Sequence, residues 1–189
     1  TPLIGTGDLL RYNAGTPRPI ACCYVSGLYD LTGDGQPDLV GAWNYAYRPG
    51  SPWDGLICYP RTGAQDTFTF GDLVRLRYAE TPEASELHHF ESTYMTAAFA
   101  DFNRDGRIDL LFSPRSGDAL QLFLNRGNRD AGGMPVFVKD AVFARPAEAW
   151  LPCRAVDLNR DGALDLVLGA VYKGDARKNY YLRNLNAEG

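Results

Sequence analysis

Apolar residues along the chain come in short pieces, separated by stretches rich in Gly, Pro and Asp. Pieces such as Leu56-Ile57-Cys58-Tyr59 and Leu120-Gln121-Leu122-Phe123-Leu124 have the length of strands, and their boundaries carry turn residues. The longest uninterrupted apolar run, Ile20 to Val25, is six residues, too short for a membrane-spanning helix.

The apolar pieces recur in a fixed order. Leu9-Leu10-Arg11-Tyr12-Asn13 resembles Leu56-Ile57-Cys58-Tyr59-Pro60, Leu120 to Asn125, and Asn179 to Asn184. A further apolar piece follows in two units, at Phe68-Thr69-Phe70 and Val136-Phe137-Val138. Between the pieces a nonapeptide occurs three times: Asp30 to Asp38, Asp101 to Asp109 and Asp157 to Asp165. Each copy is followed by an apolar pair, Leu39-Val40, Leu110-Leu111 or Leu166-Val167. The predicted unit is strand, loop, strand, loop, strand, turn, strand. Four short antiparallel strands per unit predict a propeller blade. The starts of successive loops lie 71 and then 56 residues apart, which places the extra length in connections.

The nonapeptide has a metal chemistry written into its spacing. Oxygen-bearing side chains stand at positions 1, 3, 5 and 9: Asp30, Thr32, Asp34, Asp38; Asp101, Asn103, Asp105, Asp109; and Asp157, Asn159, Asp161, Asp165. A tight loop turns alternate side chains inward, and Ca²⁺ takes six to eight hard oxygen ligands. Gly at position 6 admits the sharp turn. The carbonyl of position 7 (Gln36, Arg107, Ala163) is then expected to face the ion. An EF-hand is excluded: position 12 is Gly41, Phe112 or Leu168, inside an apolar run where that motif needs Glu and a helix. Up to three Ca²⁺ are expected. Thr32 makes the first loop the weakest, since it replaces the Asn that the other two loops carry at position 3.

Composition narrows the class. Hydrophobic residues are 45% and charged residues 22%, ordinary for a globular chain and unlike a disordered one. Gly 20 and Pro 12, with 11 Tyr, favour many turns and an all-β fold. The net charge is -4 and the basic residues are scattered, which argues against nucleic acid as a partner. The four cysteines, Cys22, Cys23, Cys58 and Cys153, include no CxxC pair and read as buried thiols. The side chains of adjacent strand residues Cys22 and Cys23 point to opposite faces, which argues against a vicinal disulfide. The chain begins at Thr1 with no basic-then-apolar leader.

Asp-x-(Asn/Thr)-x-Asp-Gly-x-x-Asp-Leu after an apolar strand resembles the FG-GAP/VCBS repeats, a family that includes the calcium-binding blades of integrin α chains. The resemblance covers nearly the whole chain. It implies a β-propeller with calcium in the hairpin joining the first two strands of each blade. The segments before the loops, such as Ser26-Gly27-Leu28-Tyr29 and Ala97-Ala98-Phe99-Ala100, depart from the FG-GAP signature and stand closer to the VCBS branch. Residues 1–189 are expected to form one propeller segment: 1–19 ending a preceding blade, blades at 20–80 and 81–143, and an incomplete blade at 144–189. Propellers close with about four to eight blades. Three units are too few to close, so the chain is expected to be a segment of a larger propeller, of seven or eight blades, or an open arc.

With calcium on one face of such a disc, the opposite face collects Trp43, Tyr45, Tyr47, Arg48, Trp53, Glu86, His88, His89, Glu91, Arg115, Trp150, Tyr172 and Lys173. Aromatic platforms beside polar groups suit carbohydrate rings, with Trp43, Tyr45, Tyr47, Arg48 and Trp150 as candidate contacts. A propeller-type polysaccharide lyase is the alternative, with His88 or His89 as base and Arg115 at a uronate carboxylate. A purely structural array is the third. The expectation is a calcium-stabilised module for adhesion or for carbohydrate or protein binding, without membrane insertion. Its place is extracellular, cell-surface or periplasmic, where calcium is about millimolar.

Overall fold

The computed structural model describes residues 11–14, 16–19, 24–43, 55–62, 69–90, 96–113, 119–144, 153–169 and 179–182. For 11–14, 16–19, 24, 25, 43, 96, 113, 153, 169 and 179–182 it describes the backbone alone. Every regular element among the described residues is a strand. In chain order these are β1 (Arg11–Ala14), β2 (Thr16–Pro19), β3 (Tyr24–Tyr29), β4 (Asp38–Trp43), β5 (Gly55–Tyr59), β6 (Thr69–Phe70), β7 (Val74–Arg75) and β8 (Arg77–Ala79). Then come β9 (His88–His89), β10 (Thr96–Ala100), β11 (Asp109–Ser113), β12 (Ala119–Arg129), β13 (Pro135–Ala144), β14 (Cys153–Val156), β15 (Asp165–Gly169) and β16 (Asn179–Leu182).

Three antiparallel sheets each start with a hairpin built on one nonapeptide. Their orders are β3-β4-β5-β7, β10-β11-β12-β13 extended by β8-β9, and β14-β15-β16. The hairpin registers agree: Tyr29 faces Asp38, Ala100 faces Asp109, and Val156 faces Asp165. The last residue of each loop is thus the first residue of the second strand.

Alternation explains the unbroken apolar runs. In β11, Leu110 and Phe112 pack toward the first sheet, in a cluster with Val40, Ala42, Leu56 and Cys58. Leu111, between them in sequence, packs toward the third sheet with Ala98, Leu120 and Leu168. Successive strand residues point to opposite faces, and here both faces are buried, so every position is apolar. β4 and β5 behave likewise, with Leu39, Ile57 and Tyr59 turned the other way onto Phe70. The sheets therefore stack in sequence order, and β10 lies against β3 on one side and β14 on the other. Tyr29 and Phe99 carry the first of these contacts, with ring centroids 5.2 Å apart.

Two details differ from the sequence pattern. The fourth strand of the first unit is expected at Phe68 to Phe70, yet the residues pairing with β5 are Val74 and Arg75. Phe70 instead bridges Arg61 beyond Pro60, and the Gly71 amide donates to Pro60 O at 2.7 Å. Pro60 has no N–H to give a ladder, so the pairing breaks there and resumes after Gly71. The β8-β9 hairpin also adds to the outer edge of the second sheet, β8 running parallel to β13 with Tyr78 opposite Phe137. The β1-β2 hairpin docks in the same parallel sense on β6.

Candidate functional site

The three nonapeptides fold alike. The carboxylate at position 1 accepts the backbone amides of positions 5 and 6. Asp101 receives Asp105 at 3.0 Å and Gly106 at 2.8 Å, and Asp157 receives Asp161 at 3.1 Å and Gly162 at 3.0 Å. Asp30 does the same for Asp34 and Gly35, and also takes the amide of Gly33 at 2.6 Å. The carboxylate at position 5 accepts the amide of position 7, at 2.8 Å for Asp34, 2.9 Å for Asp105 and 2.8 Å for Asp161. Asn103 and Asn159 donate from Nδ2 to the same position-5 carboxylates.

Two residues per loop take left-handed backbone angles. Position 6 is glycine each time, with φ of 83°, 81° and 83°. Position 4 is Gly33 in the first loop (φ 77°) but Arg104 and Arg160 in the others, both at φ 62°. An L side chain there costs roughly 1–2 kcal/mol. The fans of amide hydrogen bonds to positions 1 and 5 hold the turn against that cost.

Position 9 is buried. Asp38, Asp109 and Asp165 are each 0% exposed. Asp38 accepts the amides of Leu31 and Thr32 through one oxygen and that of Arg61 through the other. Asp109 accepts Phe102 and Asn125 in the same way, and Asp165 accepts Leu158. Burial raises the pKa of Asp38 and Asp109 above the ordinary aspartate value, and the amide hydrogen bonds pull it partly back.

Among the described residues no three His, Cys, Asp or Glu side chains converge as a metal cluster. The loop carboxylates are turned onto their own backbone amides, and the rest of the oxygen set is amide, hydroxyl and carbonyl. The first loop holds two buried oxygens without a hydrogen-bond partner, Thr32 Oγ1 and Gln36 Oε1. The Thr32 hydroxyl lies near enough to Asp38 to favour its charge but out of good hydrogen-bond geometry. A cleft of about 400 Å³ opens beside that loop, lined by Asp34, Gly35, Gln36, Pro37 and Arg61. The second loop carries its own cation: Arg107 pairs with Asp105 and donates from Nε to Asn125 O at 2.6 Å.

A second cleft, of about 360 Å³, is lined by Tyr78, His88, His89, Phe90, Phe112, Gln121 and Phe123. Phe112 faces Gln121 across β11 and β12, toward the end of the sheet remote from the loop. Phe90 is the hub, with Tyr78, Phe123 and Phe112 rings centred 4.8, 5.0 and 5.5 Å away. His88 lies against Tyr78 at 5.4 Å. The histidines are not in a free connection: they form β9, opposite Tyr78 and Arg77. Gly55 abuts this region, since a Cβ there would stand 2.5 Å from Phe90 O. Trp43 is the strand partner of Gly55, which puts its backbone at the same end as the cleft.

Of the other binding and lyase candidates, Glu86 is exposed. Tyr45, Tyr47, Arg48, Trp53, Glu91, Arg115, Trp150, Tyr172 and Lys173 lie outside the described residues, as does the side chain of Trp43. Sequence reasoning missed Tyr78, Phe90 and Gln121. The alternation Arg77-Tyr78-Ala79 was a strand signal, but a three-residue piece does not announce a parallel partner 59 positions along.

Residues 101–168 match the family model of the FG-GAP-like repeat, from the second nonapeptide through the strand after the third. No curated protein and no solved structure matches the chain.

Proposed function

We propose that the chain is an arc of a calcium-stabilised β-propeller that works outside the cytoplasm as a binding module for carbohydrate or protein. The observation that carries this is the common fold of the three nonapeptides, with positions 4 and 6 left-handed and the same amide hydrogen bonds to positions 1 and 5. The order of the stacked sheets, with β3, β10 and β14 side by side, suits the inner strands of successive blades.

The donor set fits a hard cation. It is all oxygen, and each carboxylate has about four lone-pair directions, so the amide bonds leave acceptor capacity free. Asp30, Thr32 and Asp34, with Asp38 and the Gln36 carbonyl, would hold the ion in the first loop. Asp101, Asn103, Asp105, Asp109 and the Arg107 carbonyl would do so in the second, and Asp157, Asn159, Asp161, Asp165 and the Ala163 carbonyl in the third. The orphaned Oγ1 of Thr32 supports this in the first loop. Calcium would neutralise the clustered carboxylates and stabilise the folded state by mass action. Such loops fill where calcium is about millimolar, which supports an extracellular, cell-surface or periplasmic setting.

The aromatic cleft, with Trp43 at its end of the sheets, supports ligand binding there. Thermal melts in calcium and in chelator test the scaffold: separation by several degrees is expected, and coincident curves reject it. Glycan-array binding lost in Trp43→Ala but kept in His88→Ala and His89→Ala supports the binding module. Unsaturated products from anionic polysaccharides, lost in the histidine variants, would replace it with a lyase.

A further inference from the structure

Both outer loops are held by arginines of the middle unit. Arg129, the last residue of β12, donates from Nη1 to Leu31 O in the first loop at 3.0 Å and to Gly133 O at 2.6 Å. Its Nη2 stands 2.7 Å from where a Cβ on Gly33 would be, so a side chain at Gly33 would push the guanidinium from this position. Arg104, at position 4 of the second loop, donates from Nη2 to Gly162 O, position 6 of the third loop, at 2.6 Å.

We infer that Arg104 is a positioning residue for the third loop and couples cation occupancy of the second and third loops. The coupling rests on the calcium reading above; the positioning does not. The coupling runs through one peptide group. Gly162 O and the Ala163 amide belong to the same planar unit. Arg104 holds its oxygen, and Asp161 Oδ1 accepts its hydrogen at 2.8 Å. With both ends held, the peptide plane cannot swivel, and the Asp161 carboxylate at position 5 is fixed with it.

The other end of the relay is the Arg104 backbone. It lies at φ 62°, between Asn103 and Asp105, whose side chains bond one another at 2.8 Å. A cation drawing Asn103 and Asp105 together fixes that strained angle and so the reach of the guanidinium. Filling the second loop therefore favours filling the third, and by reciprocity the third favours the second. The first loop is the internal control. Its latch, Arg129, comes from a strand end and is anchored on Gly133 O, so no cation loop controls it.

The test uses the full chain, with Ca²⁺ alone as titrant and the amide resonances of Gly35, Gly106 and Gly162 as one reporter per loop. Asp101→Asn, which weakens the second loop, is expected to raise the Ca²⁺ midpoint at Gly162 severalfold and leave Gly35 unchanged. Arg104→Asn keeps a residue that tolerates the left-handed angle but removes the reach. In that background Asp101→Asn should no longer move Gly162, while Arg104→Lys restores part of the effect. A Gly162 response to Asp101→Asn that persists in Arg104→Asn overturns the coupling, as does an absence of Ca²⁺ binding. Positioning is decided separately in chelator, by hydrogen exchange at the Ala163 amide. Exchange about five- to tenfold faster in Arg104→Asn is expected, and an unchanged rate overturns it.

Discussion

The carboxylate of Asp109 accepts the amide of Asn125 at 2.8 Å while its other oxygen accepts that of Phe102 at 3.0 Å, so one fully buried side chain ties the start of the loop to the third strand. Asp38 makes the equivalent tie between Leu31 and Arg61. Position 9 therefore has a structural task that precedes any metal.

Asp109→Asn turns an NH₂ group toward a backbone donor that needs an acceptor. Leaving such a buried group unsatisfied costs about 1–3 kcal/mol. Urea unfolding in chelator should show a loss of about 1–3 kcal/mol, larger than that of Asp105→Asn in the exposed part of the loop. Equal losses would reduce position 9 to an ordinary ligand. The pH dependence has a definite sign. Burial raises the Asp109 pKa, so its contribution is fully present below about 3.9, the unfolded value, and is lost as pH rises toward the elevated folded value. The gap between wild type and Asp109→Asn should narrow across that window.

The loops were legible in sequence because oxygen at 1, 3, 5 and 9 with Gly at 6 is a local code, and local codes survive without tertiary information. The burial of position 9 was not legible, since the sequence does not distinguish an aspartate facing an ion from one facing backbone amides. Nor was position 4. Gly33 shares no side-chain chemistry with Arg104 and Arg160, and only the backbone angle unites the three. The β8-β9 hairpin escaped for another reason. Its pairing to β13 is parallel and distant, so it depends on how the sheets stack rather than on any period along 77–89.

Backbone strain at position 4 predicts a stabilising change. Arg160 is exposed and sits at φ 62°. Asn tolerates that angle better, so Arg160→Asn should gain up to about 1 kcal/mol. Gly106→Ala should do the reverse. Open space surrounds its would-be Cβ, so any cost is purely conformational, about 1–2 kcal/mol at φ 81°. Chemical denaturation of both variants in chelator checks this, and a neutral Gly106→Ala would mean the turn relaxes.

The loops should differ in calcium affinity for two separate reasons. Thr32 offers a hydroxyl where Asn159 offers an amide carbonyl, a regular calcium ligand, so Asp34→Ala should lose less calcium-linked stability than Asp161→Ala. In the second loop, Arg107 already neutralises Asp105 and must yield that carboxylate to an incoming ion. Arg107→Gln should therefore tighten calcium at Gly106 by a factor of a few, an effect that shrinks at high salt as screening weakens the competitor. Unchanged affinity would show that the guanidinium and the ion occupy different lone pairs.

Cys58 should be inert in the folded protein. It is a free thiol, 0% exposed, in β5 between Val40 and Val74. Burial raises its pKa well above the ordinary value, and the nearby charge of Asp38 adds to the shift. The thiolate is the reactive form, so both its scarcity and its enclosure protect it. Alkylation at pH 8, read by mass spectrometry on the Cys58 peptide, should be negligible in buffer and complete in concentrated urea. Stability follows from the same shift. The unfolded thiol ionises near 8.5 while the folded one stays protonated, so the Cys58 contribution is intact below that pH. Above it, up to the raised folded value, it falls by about 1.4 kcal/mol per pH unit. Cys58→Ala, which cannot ionise, should lose that slope while paying a small fixed cost for the missing sulfur. Parallel pH profiles of the two proteins between 8 and 10 would show that the thiol is reached by solvent before the sheets part.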